Sequence, residues 1–357
     1  MTMDIKQATA AYETWLAKKI PLIAGDLKLK HQRMAEGVFP FLRATFYRWA
    51  QLWPGTCPEL ANAPTVLGVG DLHVENFGTW RDSEGRLIWG VNDFDEVCKI
   101  PYPVDLVRLA VSSFLATREG TGVCEPADAC LAILDGYTTG IQRGGQPFVL
   151  AERHEGLREL ALNELRDPVR FWDKINSWPR ADKVPPAVKS ILTRALPEPG
   201  LSCQILHRQA GLGSLGRRRF TLVTQWRGGF VAREAKELVP SAWHYLDKKQ
   251  TGKIFYMDAI NHAVRVADST VSLKTPWLIR RLAPDCSRIE LSQLPAKRDG
   301  MKLLRAMGLE TANIHLGTPN AAKKISADLR KRPADWLYHA AQKMERATIQ
   351  DWKQWRG

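Results

Sequence analysis

Residues 70–78 read GDLHVENFG and residues 91–97 read VNDFDEV. What joins these two stretches decides the fold. Thr65–Val69 is a short β-type run that ends at Gly70. Phe77–Trp80 and Leu87–Val91 are rich in β-formers, and RDSEGR between them is a turn, so residues 77–91 read as a hairpin. The hairpin carries the chain from Asn76 back to Asp93. An amide oxygen and a carboxylate thus arrive at one point from adjacent strand ends. Mg²⁺ takes such hard oxygen ligands, with phosphate oxygens completing its shell. Asp95 can replace Asp93 or add a second metal contact. Asp71, just past a strand and a glycine, can accept a proton from a hydroxyl nucleophile. His73 is grouped with Asp71 as a catalytic candidate. It can ligate a metal, although a hydrogen bond that orders the loop is the simpler reading. Taken singly, each of these residues also fits a polar loop with Asx-turns. The ordered set, tied by a hairpin, is more specific.

Outward from this centre the pattern is mixed. Helices are expected over 4–19 and 36–52, after which Pro54, Pro58 and Pro64 break the chain. DLVRLAVSSFLAT from Asp105 has helical apolar spacing with an acidic start. Further helices are expected over 126–142 and 151–166. The stretch 179–200 holds five prolines and marks the main boundary. Beyond it strands are expected at 202–209, 219–226, 230–236 and 277–282, and helices at 256–269 and 298–315. The tail from Arg298 is helical and rich in Lys, Arg and Trp. Three regions follow: 1–198, 199–294 and 295–357.

The second chemical motif lies between the first two of those later strands. GLGSLG (211–216) carries Gly211, Gly213 and Gly216 around Ser214. A dinucleotide fingerprint needs a helix next. Here RFTLVTQW follows, so the arrangement is strand, glycine loop, strand, as over ATP phosphates in kinases. A plain glycine turn is the bland alternative. Arg233 and Lys236 on the next strand can each reach a phosphate, but they fall on opposite faces. Arg217–Arg219 can steer a phosphate in part.

Composition sets the limits. The 357 residues suit about two domains. With 45% hydrophobic and 25% charged residues the chain reads as an ordinary globular protein, which excludes a disordered chain or a disulfide miniprotein. Apolar runs are far too short for a membrane span. The first residues lack an apolar signal segment, so a cytoplasmic location is expected. The net charge of +13 favours an anionic partner, or is simply a solvated basic face. No RNA-binding, helix-turn-helix or zinc signature points to nucleic acid. The six cysteines show no metal spacing and read as reduced thiols, with a Cys124–Cys130 bridge left open. The thirteen tryptophans read as core.

GDLHVENFG followed by VNDFDEV resembles the catalytic and metal-binding motifs of kinase-like phosphotransferases of the aminoglycoside and choline kinase type. More closely, RMAEGVFPFLR, GDLHVENFG, NDFDEV, PVDLVRLA and GLGSLGRRRF, in that order, resemble a bacterial family of uncharacterised proteins, domain of unknown function 2252. That resemblance spans about residues 30–315. It implies an α+β, protein-kinase-like two-lobed fold, circularly permuted, with the catalytic lobe first and the nucleotide lobe second. It implies Asp71 as catalytic base, Asn76 and Asp93 as Mg²⁺ ligands, and Asp105 as the acid that buttresses the catalytic loop. Gly211, Gly213, Ser214 and Gly216 would cradle the phosphates of ATP, with Lys236 or Arg233 neutralising them. Helix 298–315 would stand where a kinase has the helix leading into its catalytic loop. The implied function is ATP- and Mg²⁺-dependent phosphoryl transfer to a small hydroxyl-bearing substrate. The short interval from Asp93 to Asp105 leaves no room for a peptide-docking segment. The alternatives are a metal-dependent phosphoesterase, suggested by Asp71-Leu72-His73, and a catalytically inactive nucleotide-binding scaffold.

Overall fold

The computed structural model describes residues 3–120, 124–150, 154–163, 167–246, 252–286 and 297–357. Helices precede the first strand. α1 (Ile5–Ala17) starts on Asp4, whose side chain accepts from the Gln7 amide at 2.8 Å. α2 (Ala24–Glu36) is absent from the sequence reading, because its residues are largely polar and show no clear apolar stripe. The single helix expected over 36–52 is two: α3 (Val38–Ala44) and α4 (Phe46–Thr56). They break at Thr45, whose backbone leaves the helical region and whose hydroxyl donates to the Phe41 carbonyl. Pro54 does not end α4, which runs to Thr56. It sits in the last turn, where a missing amide costs one hydrogen bond at most.

The first half then builds two small antiparallel sheets. β1 (Thr65–Gly68) pairs with β4 (Cys98–Pro101), and between them lies the hairpin β2 (Phe77–Arg81) and β3 (Leu87–Val91). The Asp82 carboxylate accepts from the Glu84 and Arg86 amides and closes the hairpin turn. β5 (Phe148–Val149) adds to β3. α5 (Pro103–Arg118) is buried continuously from Pro103 to Ala116, so it is a central helix rather than an amphipathic one. α6 (Pro126–Arg143) follows, then α7 (Glu155–Asn163) within the helix expected over 151–166. Residues 151–153 and 164–166 of that expectation lie outside the described residues.

The second half carries a five-stranded antiparallel sheet. Its order is β6 (Cys203–His207), β7 (Arg219–Trp226), β8 (Gly229–Glu237), β10 (Trp277–Leu282) and β9 (Ser272–Lys274). α8 (Pro168–Asn176) and α9 (Pro186–Arg194) start on prolines, the position where a missing amide is harmless. They cover opposite faces of the sheet. Val188 and Leu192 pack on Phe220, Leu222 and Ala235, and Phe171 and Ile175 pack on Leu206, Val223 and Ala232. Both helices precede the boundary expected near residue 198, yet their apolar faces belong to the sheet.

α10 (Ala242–Leu246) and α11 (Tyr256–His262) return to the main core. The helix expected over 256–269 ends at His262, because the Val264 amide is drawn to the Asn313 carbonyl at 3.0 Å. α12 (Lys297–His315) packs closely along α6, and α13 (Ala321–Leu329) and α14 (Trp336–Arg356) complete the chain. The main core mixes residues from both ends of the sequence, among them Trp53, Val107, Met307 and Leu337. Arg48 on α4 grips Asp351 on α14 through two nitrogens at 2.7 and 3.1 Å. All six cysteines are free thiols. Among the described residues no helix is long and apolar enough to cross a membrane.

Candidate functional site

The hairpin register pairs Phe77 with Val91, and the Asn92 amide donates to the Asn76 carbonyl at 2.9 Å. Asn76 and Asp93 therefore lie side by side at the open end of the hairpin. The Asn76 amide nitrogen donates to the backbone carbonyl of Asp71 at 3.0 Å, which aims its oxygen away from the loop. That oxygen, Oδ1, is buried and has no hydrogen-bond partner, and the same holds for Oδ1 of Asp95. A buried acceptor without a donor is costly unless something else fills the place. An amide oxygen and two carboxylates at one point fit a hard divalent cation. Among the described residues no group of three or more His, Cys, Asp and Glu forms a metal cage.

Asp105 is fully buried at the start of α5. It accepts from the Val69 and Gly70 amides at 2.7 and 2.8 Å, so it holds the backbone directly before Asp71. His315 at the end of α12 donates from Nε2 to the same carboxylate at 2.9 Å, and its Nδ1 meets the Tyr137 hydroxyl at 2.8 Å. The end of α12 also lies against β1, where the Leu67 amide donates to the Thr318 hydroxyl at 2.8 Å. Gly70 adopts φ +80°, and a Cβ there would lie 2.5 Å from the Glu96 carbonyl. The loop that presents Asp71 is thus fixed from three sides. His73 is buried, and its Nδ1 accepts from the Glu75 amide at 3.2 Å, which caps the short turn Val74–Asn76. This hydrogen bond helps to order the loop.

Asp71 meets Arg108, a fully buried guanidinium on α5 that also donates to the Leu42 carbonyl at 2.7 Å. Burial pushes the Asp71 carboxyl up to about 7 against the pull of Arg108, with Glu96 and Asp93 adding to the rise. A carboxyl poised there can take a proton near neutral pH.

The second half of the chain supplies the opposite wall. The glycine turn 211–216 reaches the same place: a Cβ on Gly213 would stand 3.0 Å from the Arg43 carbonyl and 3.3 Å from Oδ2 of Asp71. Only a residue without a side chain fits that approach without displacement. The Arg219 guanidinium holds the Ser214 hydroxyl at 2.9 Å and so fastens the turn to β7. α2 closes over its far end, where the Ile23 amide donates to the Gly216 carbonyl at 2.9 Å. Sequence reading did not anticipate this cover, since α2 itself was not expected.

Lys236 on β8 is buried, and its ammonium lies between Asp93, at 3.4 Å, and Asp95. Burial pushes the Asp93 carboxyl up, but the Lys236 ammonium and the Arg280 and Arg219 charges outweigh it and hold it well below its usual range. Asp95 goes the other way, up to about 6, through burial and the adjacent Asp93. Asp93 is 29% exposed and Asp95 10%, so Asp93 is the carboxylate that opens onto the cleft. Arg233 points elsewhere. It lies on the other face of β8 and donates to the Ala195 carbonyl at 2.9 Å, beside α9. Lys236 and Arg233, both expected at the phosphates, thus face opposite ways, as even and odd positions of a strand do.

Arg217, expected to steer a phosphate, is instead buried against Glu96, at 2.9 Å. Beyond Asp93 lies a cleft of about 630 Å³, between the sheet and the hairpin. Its upper wall is basic. Arg208, Arg219 and Arg280 converge on Glu234, which is fully buried on β8. Burial alone would raise Glu234, but the three guanidiniums hold it well below the usual carboxylate range. This cluster was not anticipated from the sequence, because its members come from four separate segments.

The model of one protein family, described as "Uncharacterized protein conserved in bacteria (DUF2252)", matches residues 22–167. The match takes in the Asp71 loop, the hairpin and α5. It ends before the glycine turn, so the resemblance of the second half rests on the motif residues alone. No curated protein and no solved structure matches the chain.

Proposed function

We propose that the chain is a kinase-like phosphotransferase that moves a phosphorus group from a Mg²⁺-bound nucleoside triphosphate, such as ATP, to the hydroxyl of a small acceptor. The observation that carries this reading is the meeting of the two halves. Asp71, Asn76 and Asp93 come from one, the Gly211–Gly216 turn and Lys236 from the other, and neither set suffices alone. In kinases the glycine loop lies between two strands, the lysine on the third, and the base and metal ligands face them. The same parts occur here with the catalytic part first, which supports a permuted kinase-like scaffold.

Each residue has a part to play in this reading. Asp71 receives the acceptor's proton, and Arg108 holds its carboxylate in place. Asn76 and Asp93 would hold Mg²⁺, which when bound neutralises phosphate charge. The amides of the glycine turn and the Lys236 ammonium face the phosphates. Lys236 now spans Asp93 and Asp95 and is released to phosphate when a cation takes those carboxylates. The phosphoesterase alternative needs several His and carboxylate ligands around one point. Among the described residues no such group is present.

Calorimetric titration of the full chain with ATP, with and without Mg²⁺, tests the proposal. Mg²⁺-dependent binding that Asp93→Asn weakens at least tenfold is expected. Equal binding by wild type and Asp93→Asn, or none by wild type, overturns it.

A further inference from the structure

The cleft does not end at the metal ligands. The face of β8 that presents Lys236 presents Glu234 next, about 7 Å further along the strand. Three guanidiniums share that one carboxylate. Arg280 lies 2.7 Å from it and Arg219 3.4 Å, and Arg208 forms a charged hydrogen bond to it. Glu234, with Asp93 as the next anion facing Arg219 and Arg280, leaves about one of the three positive charges unbalanced, in a bay largely withdrawn from water. The Nε of Arg208 is buried there without a partner. Desolvated guanidiniums are stabilised by a multiply charged anion with oxygens for several N–H donors, which a phosphate chain supplies. A neutral nucleobase cannot balance this charge.

We infer that the triphosphate runs inward from Asp93 into this arginine bay, its terminal phosphates on Arg208, Arg219 and Arg280, so that the α-phosphorus stands over Asp71. This rests on the nucleotide site proposed above and changes which group is transferred. The acceptor oxygen forms a bond to the α-phosphorus. The bond from that phosphorus to the oxygen bridging it to the β-phosphate breaks, and pyrophosphate leaves with the electron pair. The hydroxyl proton passes to Asp71. The product is a nucleoside monophosphate ester of the acceptor, or free AMP when water attacks ATP. The reaction class is nucleotidyl transfer. The hold of Arg219 on Ser214 links occupancy of the bay to the glycine turn.

Two measurements on the full chain with Mg²⁺ decide this. The first compares ATP and AMP binding to wild type and Arg280→Gln. ATP should weaken roughly tenfold to a hundredfold, the scale of one lost charge-assisted contact, while AMP is unchanged. Arg208→Gln replaces Arg280→Gln if the latter does not melt cooperatively. The second follows ATP labelled at the α- or γ-phosphate. Pyrophosphate and α-labelled AMP or adduct are expected. Equal weakening of AMP and ATP, no weakening of either, or release of ADP with phosphate or a γ-labelled adduct overturns the inference and leaves the nucleotide site standing. Absence of Mg·ATP binding to wild type overturns both.

Discussion

The Nζ of Lys236 lies 3.4 Å from Oδ1 of Asp93, across 143 positions of chain. This contact joins the five-stranded sheet to the hairpin and leaves a single ammonium between two carboxylates. Lys236→Met removes the cation and leaves Asp93 and Asp95 facing each other. Breaking a buried ion pair from one side costs about 3–5 kcal/mol. The loss should be larger at pH 8 than at pH 5, where the pair can take up a proton. Mg²⁺ should restore part of it. Melting curves at both pH values, with and without Mg²⁺, check this. A loss independent of both pH and Mg²⁺ would count against a shared cation site.

The close approach of Gly213 to Asp71 makes a second test. Gly213→Ala places a methyl 3.3 Å from Oδ2 of Asp71 and 3.0 Å from the Arg43 carbonyl. The turn must shift, at a cost of roughly 1–3 kcal/mol. Mg·ATP binding and turnover should fall about tenfold, since 1.4 kcal/mol is that factor. The fold should persist, because the turn is not part of the main core. Unchanged turnover would detach the turn from the site.

The raised Asp71 carboxyl dictates a pH profile. A base must be ionised, so turnover should rise with pH up to about 7 and level off above it. Stability carries the opposite sign. The folded chain keeps a proton that the unfolded chain releases from about pH 4, so stability is lost as pH rises toward 7. Asp71→Asn should abolish turnover and remove that slope. Urea midpoints at pH 5 and pH 8 for both proteins measure it, and identical slopes would sink the assignment.

Asp105 makes a fourth prediction. Its two oxygens serve three partners: the Val69 and Gly70 amides and His315. Asp105→Asn turns one oxygen into a donor and strands at least one buried amide. That costs about 1–3 kcal/mol. The urea midpoint should fall, and turnover should fall with it, because the Asp71 loop loses its anchor. A stable variant with full turnover would show that the loop holds itself.

The hairpin was legible because its signals are local. Alternating β-formers, a turn closed by Asp82 and the adjacency of Asn76 and Asp93 all lie within about twenty residues. The strands at 219–226 and 229–237 were legible for the same reason. α2 was not, because its burial depends on covering a turn almost two hundred positions away. The end of α11 was missed because a carbonyl of a distant segment, that of Asn313, and not a local breaker, draws the chain off.

The sequence by itself determined the chemistry on offer: Asp71, Asn76 and Asp93 in one short segment, three glycines before a strand, and a lysine on the strand after. Residue type and short-range spacing suffice for that. Only the tertiary structure shows that Lys236 and not Arg233 lies against Asp93, that Asp93 is more exposed than Asp95, and that His73 accepts from the Glu75 amide. Those features depend on which face of a strand meets the other half and which carboxylate is left open to the cleft. The arginine bay around Glu234 is the extreme case. Strand register brings Arg219 and Arg280 to one carboxylate, with Arg208 just past the end of β6, and register is set by burial of the opposite face against α9 rather than by any neighbouring residue.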